Sequence, residues 1–178
     1  MMKTDCEENK KLSPQDQQFE TLLDENVDTS IYPACILDQV RASDGRTVLA
    51  EAVCRQLSSK VQQLLKVGCN VEVASDFSNR PLRCGVANGD VDVVIALLKA
   101  GAHVSWLEYG EHSDFSICLT SEKNSIDAHF MVADLLIKHS QTDIWKTDYK
   151  PYFRRYSRLA SDLRFINFCW IKALIRIL

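Results

Sequence analysis

The sequence predicts an all-α protein in which pairs of helices repeat along the chain. Three observations predict this fold. The chain matches itself when it is shifted by 33 residues, apolar residues recur at the spacing of amphipathic helices, and prolines and glycines mark the predicted helix ends. The 178 residues are 46% hydrophobic and 25% charged, a composition typical of a folded domain and not of a disordered chain.

The 33-residue shift aligns eight identical residues without a gap. The pairs are Leu49 and Leu82, Val53 and Val86, Val61 and Val94, Leu64 and Leu97, Leu65 and Leu98, Lys66 and Lys99, Gly68 and Gly101, and Val71 and Val104. Self-similarity at one fixed period indicates a solenoid, in which each unit buries its apolar face against the next unit.

The second copy resembles the ankyrin repeat. It has the sequence RPLR at 80–83, NGDVDVV at 88–94 and LLKAGAHV at 97–104, against a family pattern of roughly TPLHxAAxxGHxxVVxLLLxxGADV. The first copy keeps DGRT at 44–47 and LLKVG at 64–68. Because several positions of the pattern fall in the same register in both copies, the resemblance covers two complete repeats.

The resemblance implies an all-α ankyrin-repeat solenoid with capping helices at both ends. Each repeat would be a helix-turn-helix followed by a β-turn or hairpin finger, with repeats at about 44–76, 77–109 and 110–147. In this pattern Pro81 stands in the first turn of a helix, where its missing N–H costs nothing. Gly68 closes the second helix of the first repeat in a left-handed conformation.

The third repeat is degenerate. It begins in register, with Phe115 where Leu82 stands in the second copy, but Leu135 and Leu136 come five residues late. An insertion near 122–128 explains this delay. The histidine of the family pattern is also missing from all three copies, so we expect repeats less stable than a consensus array, with local fraying in the third.

Residues 13–43 are predicted to form N-terminal capping helices or an eroded repeat. Ser13 and Pro14 have the residue types of an N-cap and a first helical position, and the helix that follows carries Phe19, Leu22 and Leu23. A second apolar stretch runs from 31 to 40. Residues 1–12 are predicted to be a disordered tail.

Residues 148–178 are predicted to form a C-terminal helical segment, since apolar residues recur at helical spacing with basic residues between them. One interpretation is a helix that caps the open end of the solenoid. A second is that Phe165, Cys169 and Ala173 resemble the elongin-binding box that opens a SOCS box, although phenylalanine stands where that box usually has leucine. A third is a helix that lies on a membrane surface.

The family resemblance places the candidate partner-binding residues on the fingers and the groove beside them. They are Asp76, Phe77, Asn79, Arg80, Arg83, Trp106, Glu108, Tyr109, Glu111 and His112. Trp106 and Tyr109 either anchor a partner or pack beneath the third-repeat loop. Arg83 replaces a buried histidine of the pattern, and we expect it to be more exposed, as a groove contact or a solvated substitution.

The chemistry of the chain does not indicate an enzyme. The sequence contains no glycine-rich phosphate loop, and its four histidines lack the spacing of a zinc site. We expect each histidine at the surface or on a finger, and Cys84 and Cys118 as small packing residues in helices. No cofactor is predicted. The basic 146–178 stretch lacks the one-sided charge density of a nucleic-acid site, so no nucleic-acid partner is predicted.

The expected location is intracellular and cytoplasmic, with the nucleus left open. The N-terminus has no apolar signal region, no segment approaches the roughly 20 apolar residues of a membrane span, and the seven cysteines are odd in number and contain no CxxC pair.

The sequence therefore predicts a scaffold or adaptor that binds another protein. Two alternatives stay open. In the first, the chain is the substrate-recognition subunit of a cullin-type ubiquitin ligase that holds an elongin-type adaptor through 160–178. In the second, it is a fragment of a larger ankyrin protein.

Overall fold

The computed structural model describes residues 13–105, 114, 117–118 and 125–139. Its helices are α1 (Pro14–Leu23), α2 (Ala34–Leu37), α3 (Val48–Cys54), α4 (Ser58–Val67), α5 (Pro81–Asn88), α6 (Val91–Lys99) and α7 (Ile126–His139), with short 3-10 helices at Thr29–Ile31 and Phe77–Asn79. The described ranges contain no β-strand. The prediction of an all-α fold is confirmed for this part of the chain.

The 33-residue period of the sequence is also the period of the helices. Helix α3 begins at Val48 and α5 at Pro81, while α4 begins at Ser58 and α6 at Val91. Each pair packs internally, α3 lies against α5, and α4 lies against α6. Equivalent apolar residues therefore meet in two stacked rows, and the core contains Leu49, Val53, Val61, Leu64, Leu82, Val86, Val94 and Leu97.

Helix ends lie where capping chemistry predicts them. Pro81 occupies the first turn of α5, and the Asp90 side chain accepts a hydrogen bond from the Val93 N–H at the start of α6. Helix α4 ends at Gly68 with φ +89°, and α5 ends at Gly89 with φ +65°. These left-handed positions let the chain reverse within a few residues, so consecutive helices pack side by side.

The predicted N-terminal helix is confirmed. Ser13 caps α1 through the Asp16 N–H, and Phe19, Leu22 and Leu23 are buried. Helix α1 packs on α3, and the 3-10 helix Thr29–Ile31 packs on α4. These two elements continue both rows of helices toward the N-terminus. Within the apolar 31–40 stretch, Leu37 is buried but Ile31 is 73% exposed.

Helix α7 covers the other side of α6. Its residues Val132, Ala133 and Leu136 are fully buried, as is Cys118 before it. The predicted disordered tail 1–12 and the predicted helix in 148–178 lie outside the described residues.

None of the helices that the structure describes has both the length and the apolar character needed to cross a membrane.

Candidate interaction surface

The connection between α4 and α5 forms the centre of the candidate surface. It consists of turns and the 3-10 helix Phe77–Asn79, without the hairpin that was one of its two predicted forms. The Asp76 carboxylate organises it by accepting hydrogen bonds from the N–H groups of Ser78 and Asn79, at 2.7 and 3.2 Å. These bonds hold the pKa of Asp76 below its usual value, with the Ser78 side chain making the largest contribution.

This connection is tied to its counterpart one repeat earlier. The Asn79 side-chain amide donates to the Asp44 carbonyl at 3.0 Å, and the Ser75 N–H donates to the Gly45 carbonyl at 3.1 Å. The side chains of Ser75, Asp76 and Ser78 remain exposed. Because the backbone beneath them is fixed, these side chains are presented in one conformation. The side chain of Phe77 lies outside the described set.

Arg80 is a structural residue and not an exposed contact. It is 9% exposed, and its Nη2 atom lies 2.5 Å from the Glu72 carboxylate and 2.7 Å from the His103 carbonyl oxygen. The other Glu72 oxygen accepts the His103 N–H at 2.8 Å. Arg80 and Glu72 therefore fasten the end of the second repeat to its beginning.

The expectation that Arg83 is exposed is wrong. Only 8% of this residue is exposed, and burial lowers the pKa of its guanidinium. Arg83 follows Arg80 by one turn of α5, and the carboxylate of Asp114 opposes the effect of burial on Arg83. The buried histidine of the family pattern is thus replaced by a buried arginine next to a buried acid.

Asp114 is the acid of this cluster and has no exposed surface. Its Oδ2 accepts the Ser105 N–H at 2.8 Å, and its own N–H donates to the Ser105 carbonyl at 3.0 Å. Its Oδ1 has no hydrogen-bond partner among the described residues. Burial raises the pKa of Asp114 to about 6, against the opposing effects of Arg80 and Arg83.

Half of the predicted site residues cannot be placed. Trp106, Glu108, Tyr109, Glu111 and His112 lie outside the described residues. The structure therefore brings together Asp76 and Asn79 at an exposed turn, and it places Arg80 and Arg83 beneath the adjoining surface.

A second charged cluster was not foreseen from the sequence. Glu51 is 6% exposed and receives Arg46 at 2.9 Å, Arg55 at 2.7 Å and Arg41 at 3.5 Å. Arg55 continues to Glu20 on α1 at 2.6 Å, and Arg41 pairs with Asp44. The only local signals were the four-residue spacing of Glu51 and Arg55 and the three-residue spacing of Arg41 and Asp44.

Histidines and cysteines complete the chemical groups. His103 and His139 are exposed as expected, but His129 is 4% exposed, so the expectation of a surface position is wrong for it. Its position on the face of α7 that carries Val132 and Ala133 accounts for the burial. Cys84 and Cys118 are buried in the interior as expected, and burial raises the pKa of Cys118 to about 12.

Within the described ranges, no three metal-binding side chains converge. An open groove of about 460 Å³ runs between α4 and α6, on the side of the second helices, and Leu65, Lys66, Ile95 and Lys99 are among the residues that line it.

Comparison with protein-family models matches no family, and comparison with curated proteins matches no protein.

Proposed function

We propose that the chain is an ankyrin-repeat protein that acts inside the cell as a scaffold or adaptor. Its support is the agreement between two independent registers. The sequence repeats every 33 residues with proline and glycine at the family's positions, and the two helix pairs begin at residues with the same spacing. A solenoid of this kind offers an extended surface for a protein partner.

The observation that carries the binding function is the exposed turn at 75–79. Its side chains Ser75, Asp76 and Ser78 face solvent, while its backbone is hydrogen-bonded to the preceding repeat through Asp44 and Gly45. A surface that is already ordered loses little conformational entropy when a partner binds. Such a surface favours recognition of another protein by shape and a few polar contacts.

Arg80 and Arg83 have a supporting role in this proposal. Since both are buried, their removal would disturb the packing of α5 and would not report on binding alone. Asp76 is the better probe. In Asp76→Asn the amide oxygen still accepts the two backbone N–H groups, while the exposed negative charge is lost.

Site-specific photo-crosslinking in cells tests the proposal. A photoreactive residue at Ser78 samples the exposed turn, and the same residue at Ser59 in α4 samples an exposed position that the proposal does not use. We expect a defined crosslinked protein from position 78 and not from 59, with a lower yield in the Asp76→Asn background. Equal crosslinking from both positions would contradict the proposal.

The finger residues of the next repeat provide a second arm of this test. We expect Trp106→Ala and Tyr109→Ala to reduce crosslinking at position 78 if these aromatics anchor the same partner. If they pack beneath the third-repeat loop instead, the folded state will be destabilised. Thermal unfolding of each variant distinguishes these two outcomes.

The alternative function is substrate recognition for a cullin-type ubiquitin ligase. It is supported by the resemblance of 165–173 to an elongin-binding box. Purification of the full chain with elongin subunits tests it, beside a chain that lacks 160–178. Recovery of elongin that depends on this segment favours the ligase subunit, whereas loss of neither elongin nor partner on deletion favours the adaptor.

A further inference from the structure

Two cysteines of neighbouring repeats meet between α3 and α5. Cys54 is the last residue of α3, and Cys84 lies in the second turn of α5. Their side chains are in hydrogen-bonding contact. None of the five cysteines that the structure describes is in a disulfide, so this pair is a dithiol formed by two successive repeats.

The two thiols differ in accessibility. Cys54 is partly exposed at the end of its helix, whereas Cys84 is 7% exposed. A thiol reagent from solution therefore reaches Cys54 first, and the buried partner is already in contact with the sulfur that has reacted. This order, an accessible thiol followed by an adjacent resolving thiol, is typical of redox-active cysteine pairs.

The surrounding charges belong to the Glu51 cluster. The Arg46 guanidinium is close enough to both thiols to favour their thiolate forms, and Glu51 opposes this effect at Cys84. The dithiol is therefore polar on one side, where an arginine stabilises the negative charge that develops during thiol exchange.

We propose that Cys54 and Cys84 are a reversible oxidation site, in which a small disulfide of the glutathione type links the two repeats covalently. This inference is independent of the proposed partner. Its consequence for the fold is direct, because the bond would join α3 to α5 and restrict the unfolded chain over the intervening repeat.

The chemistry balances in two exchange steps. The Cys54 thiol loses its proton, and the thiolate attacks one sulfur of the oxidised tripeptide. A Cys54–glutathione bond forms, the original sulfur–sulfur bond breaks, and the released thiolate takes up a proton. Cys84 then loses its proton and attacks the Cys54 sulfur, which expels the second glutathione as a thiolate that is protonated. Two protein thiols are oxidised, and one glutathione disulfide is reduced to two thiols.

The second step is expected to be the slower one. The hydrogen bond with Cys54 and burial both raise the pKa of Cys84, so little of its reactive thiolate is present at neutral pH. The mixed disulfide on Cys54 should therefore accumulate before the internal bond forms.

Equilibration of the full chain in buffers of increasing oxidised-to-reduced glutathione ratio tests the proposal. After remaining thiols are blocked, we expect peptide mass spectrometry to find a Cys54–Cys84 linkage, with the protein mass lowered by about 2 Da for the two hydrogens lost. The linked protein should unfold at a higher temperature than the reduced protein, and reduced glutathione should reverse both changes.

Three variants provide the controls. Cys84→Ala should stop at the mixed disulfide on Cys54, and Cys54→Ala should yield neither the linkage nor that adduct. Cys35→Ser, which changes an exposed cysteine outside this contact, should behave as the wild type. Circular dichroism checks that each variant is folded, and the mapping of the wild type stands even if one is not. Accumulation of the Cys54 adduct without any Cys54–Cys84 linkage at the most oxidising ratio would overturn the proposal.

Discussion

Glu51 is the single residue on which most of the charged contacts of the first repeat depend. It is buried and contacts Arg41, Arg46 and Arg55. Burial raises its pKa, but the hydrogen bonds from Arg46 and Arg55 outweigh this effect and hold the pKa below the usual value. The carboxylate is thus charged in the folded protein, and three guanidinium groups depend on it for compensation.

We expect Glu51→Gln to lower the free energy of unfolding by about 2 kcal/mol. Removal of one partner of a buried ion pair costs about 3 to 5 kcal/mol, and the value is discounted here because the Arg46 and Arg55 side chains are 35% and 39% exposed. The matched control is Glu20→Gln, whose side chain is 38% exposed and should cost less than about 1 kcal/mol. Urea denaturation measures both, and equal losses would contradict the central role of Glu51.

Gly45 gives a second prediction at this scale. Its φ is +74°, and an added Cβ would lie 1.9 Å from Ser75 Oγ and 2.8 Å from Ser75 Cβ. Gly68 also has a positive φ, but a Cβ there would meet nothing within 4 Å. Gly68→Ala should therefore cost only the left-handed strain of about 1 kcal/mol. Gly45→Ala should cost more than about twice this amount, since the turns at 45 and 75 must move apart. Similar unfolding midpoints for the two variants would show that the turns separate freely.

At the scale of single elements, capping decides where α6 begins. The Asp90 side chain accepts the Val93 N–H at 3.1 Å, whereas the Asp92 side chain lies exposed in the first turn. We expect Asp90→Ala to destabilise the protein by about 1 kcal/mol. Asp92→Ala should cost about 0.3 to 0.5 kcal/mol, through the helix dipole alone. Thermal unfolding compares the pair, and amide exchange at the start of α6 should increase mainly in Asp90→Ala.

The sequence predicted the elements of the two clear repeats and missed features that depend on distant residues. Helices α3 to α6 could be predicted because local signals agree there, with Pro81 and Gly68 at helix ends and apolar residues at helical spacing. The burial of Arg83 could not be predicted, since it depends on an acid at 114, more than thirty residues away and outside the helix pair. Burial is decided by what packs on a face, and one segment does not contain this information.

Errors in the two flanks have the same origin. Ile31 belongs to an apolar stretch but is exposed, because the 3-10 helix Thr29–Ile31 contributes Thr29 and not Ile31 to the interior. His129 appeared to be a surface residue because no zinc spacing surrounded it, yet α7 turns that face inward. In both cases the residue type was correctly identified, while the side of the element on which it lies was set by the neighbouring repeat.

At the scale of the whole molecule, equivalent backbone groups are bonded in the same way from one repeat to the next. The Asn70 N–H donates to Asp38 Oδ1 at 2.9 Å, and the His103 N–H, one period later, donates to Glu72 Oε1 at 2.8 Å. Each repeat thus holds the following one through an acidic side chain. In such an array stability is approximately a sum over repeats and their interfaces, so a weak interface lowers the stability of the stack.

The interface at Asp114 makes that sum depend on pH. The pKa of Asp114 is raised from 3.8 to about 6, so the folded protein binds its proton more tightly than the unfolded chain does. Its contribution is most favourable below pH 3.8 and is lost as the pH rises toward about 6. The shift of roughly two units corresponds to a loss on the order of 3 kcal/mol across this window.

Asp114→Asn isolates this contribution. The amide oxygen still accepts the Ser105 N–H, but the side chain no longer titrates, while other carboxylates titrate in both proteins. We therefore expect the free energy of unfolding of the wild type, relative to Asp114→Asn, to fall between about pH 4 and pH 6 and to stay constant above it. Urea denaturation at half-unit pH intervals measures the difference.

A control of opposite sign is available at Asp76, whose pKa is lowered by its hydrogen bonds with Ser78. Its contribution is present above pH 3.8 and is lost as the pH falls below that value, so the wild type relative to Asp76→Asn should gain stability as the pH rises. If the two difference curves slope in the same direction, the buried Asp114 is not the source of the pH dependence. If they slope oppositely, the contact between the second repeat and Asp114 weakens as the carboxyl group ionises, and the exposed turn at 75–79 stays intact over the same range.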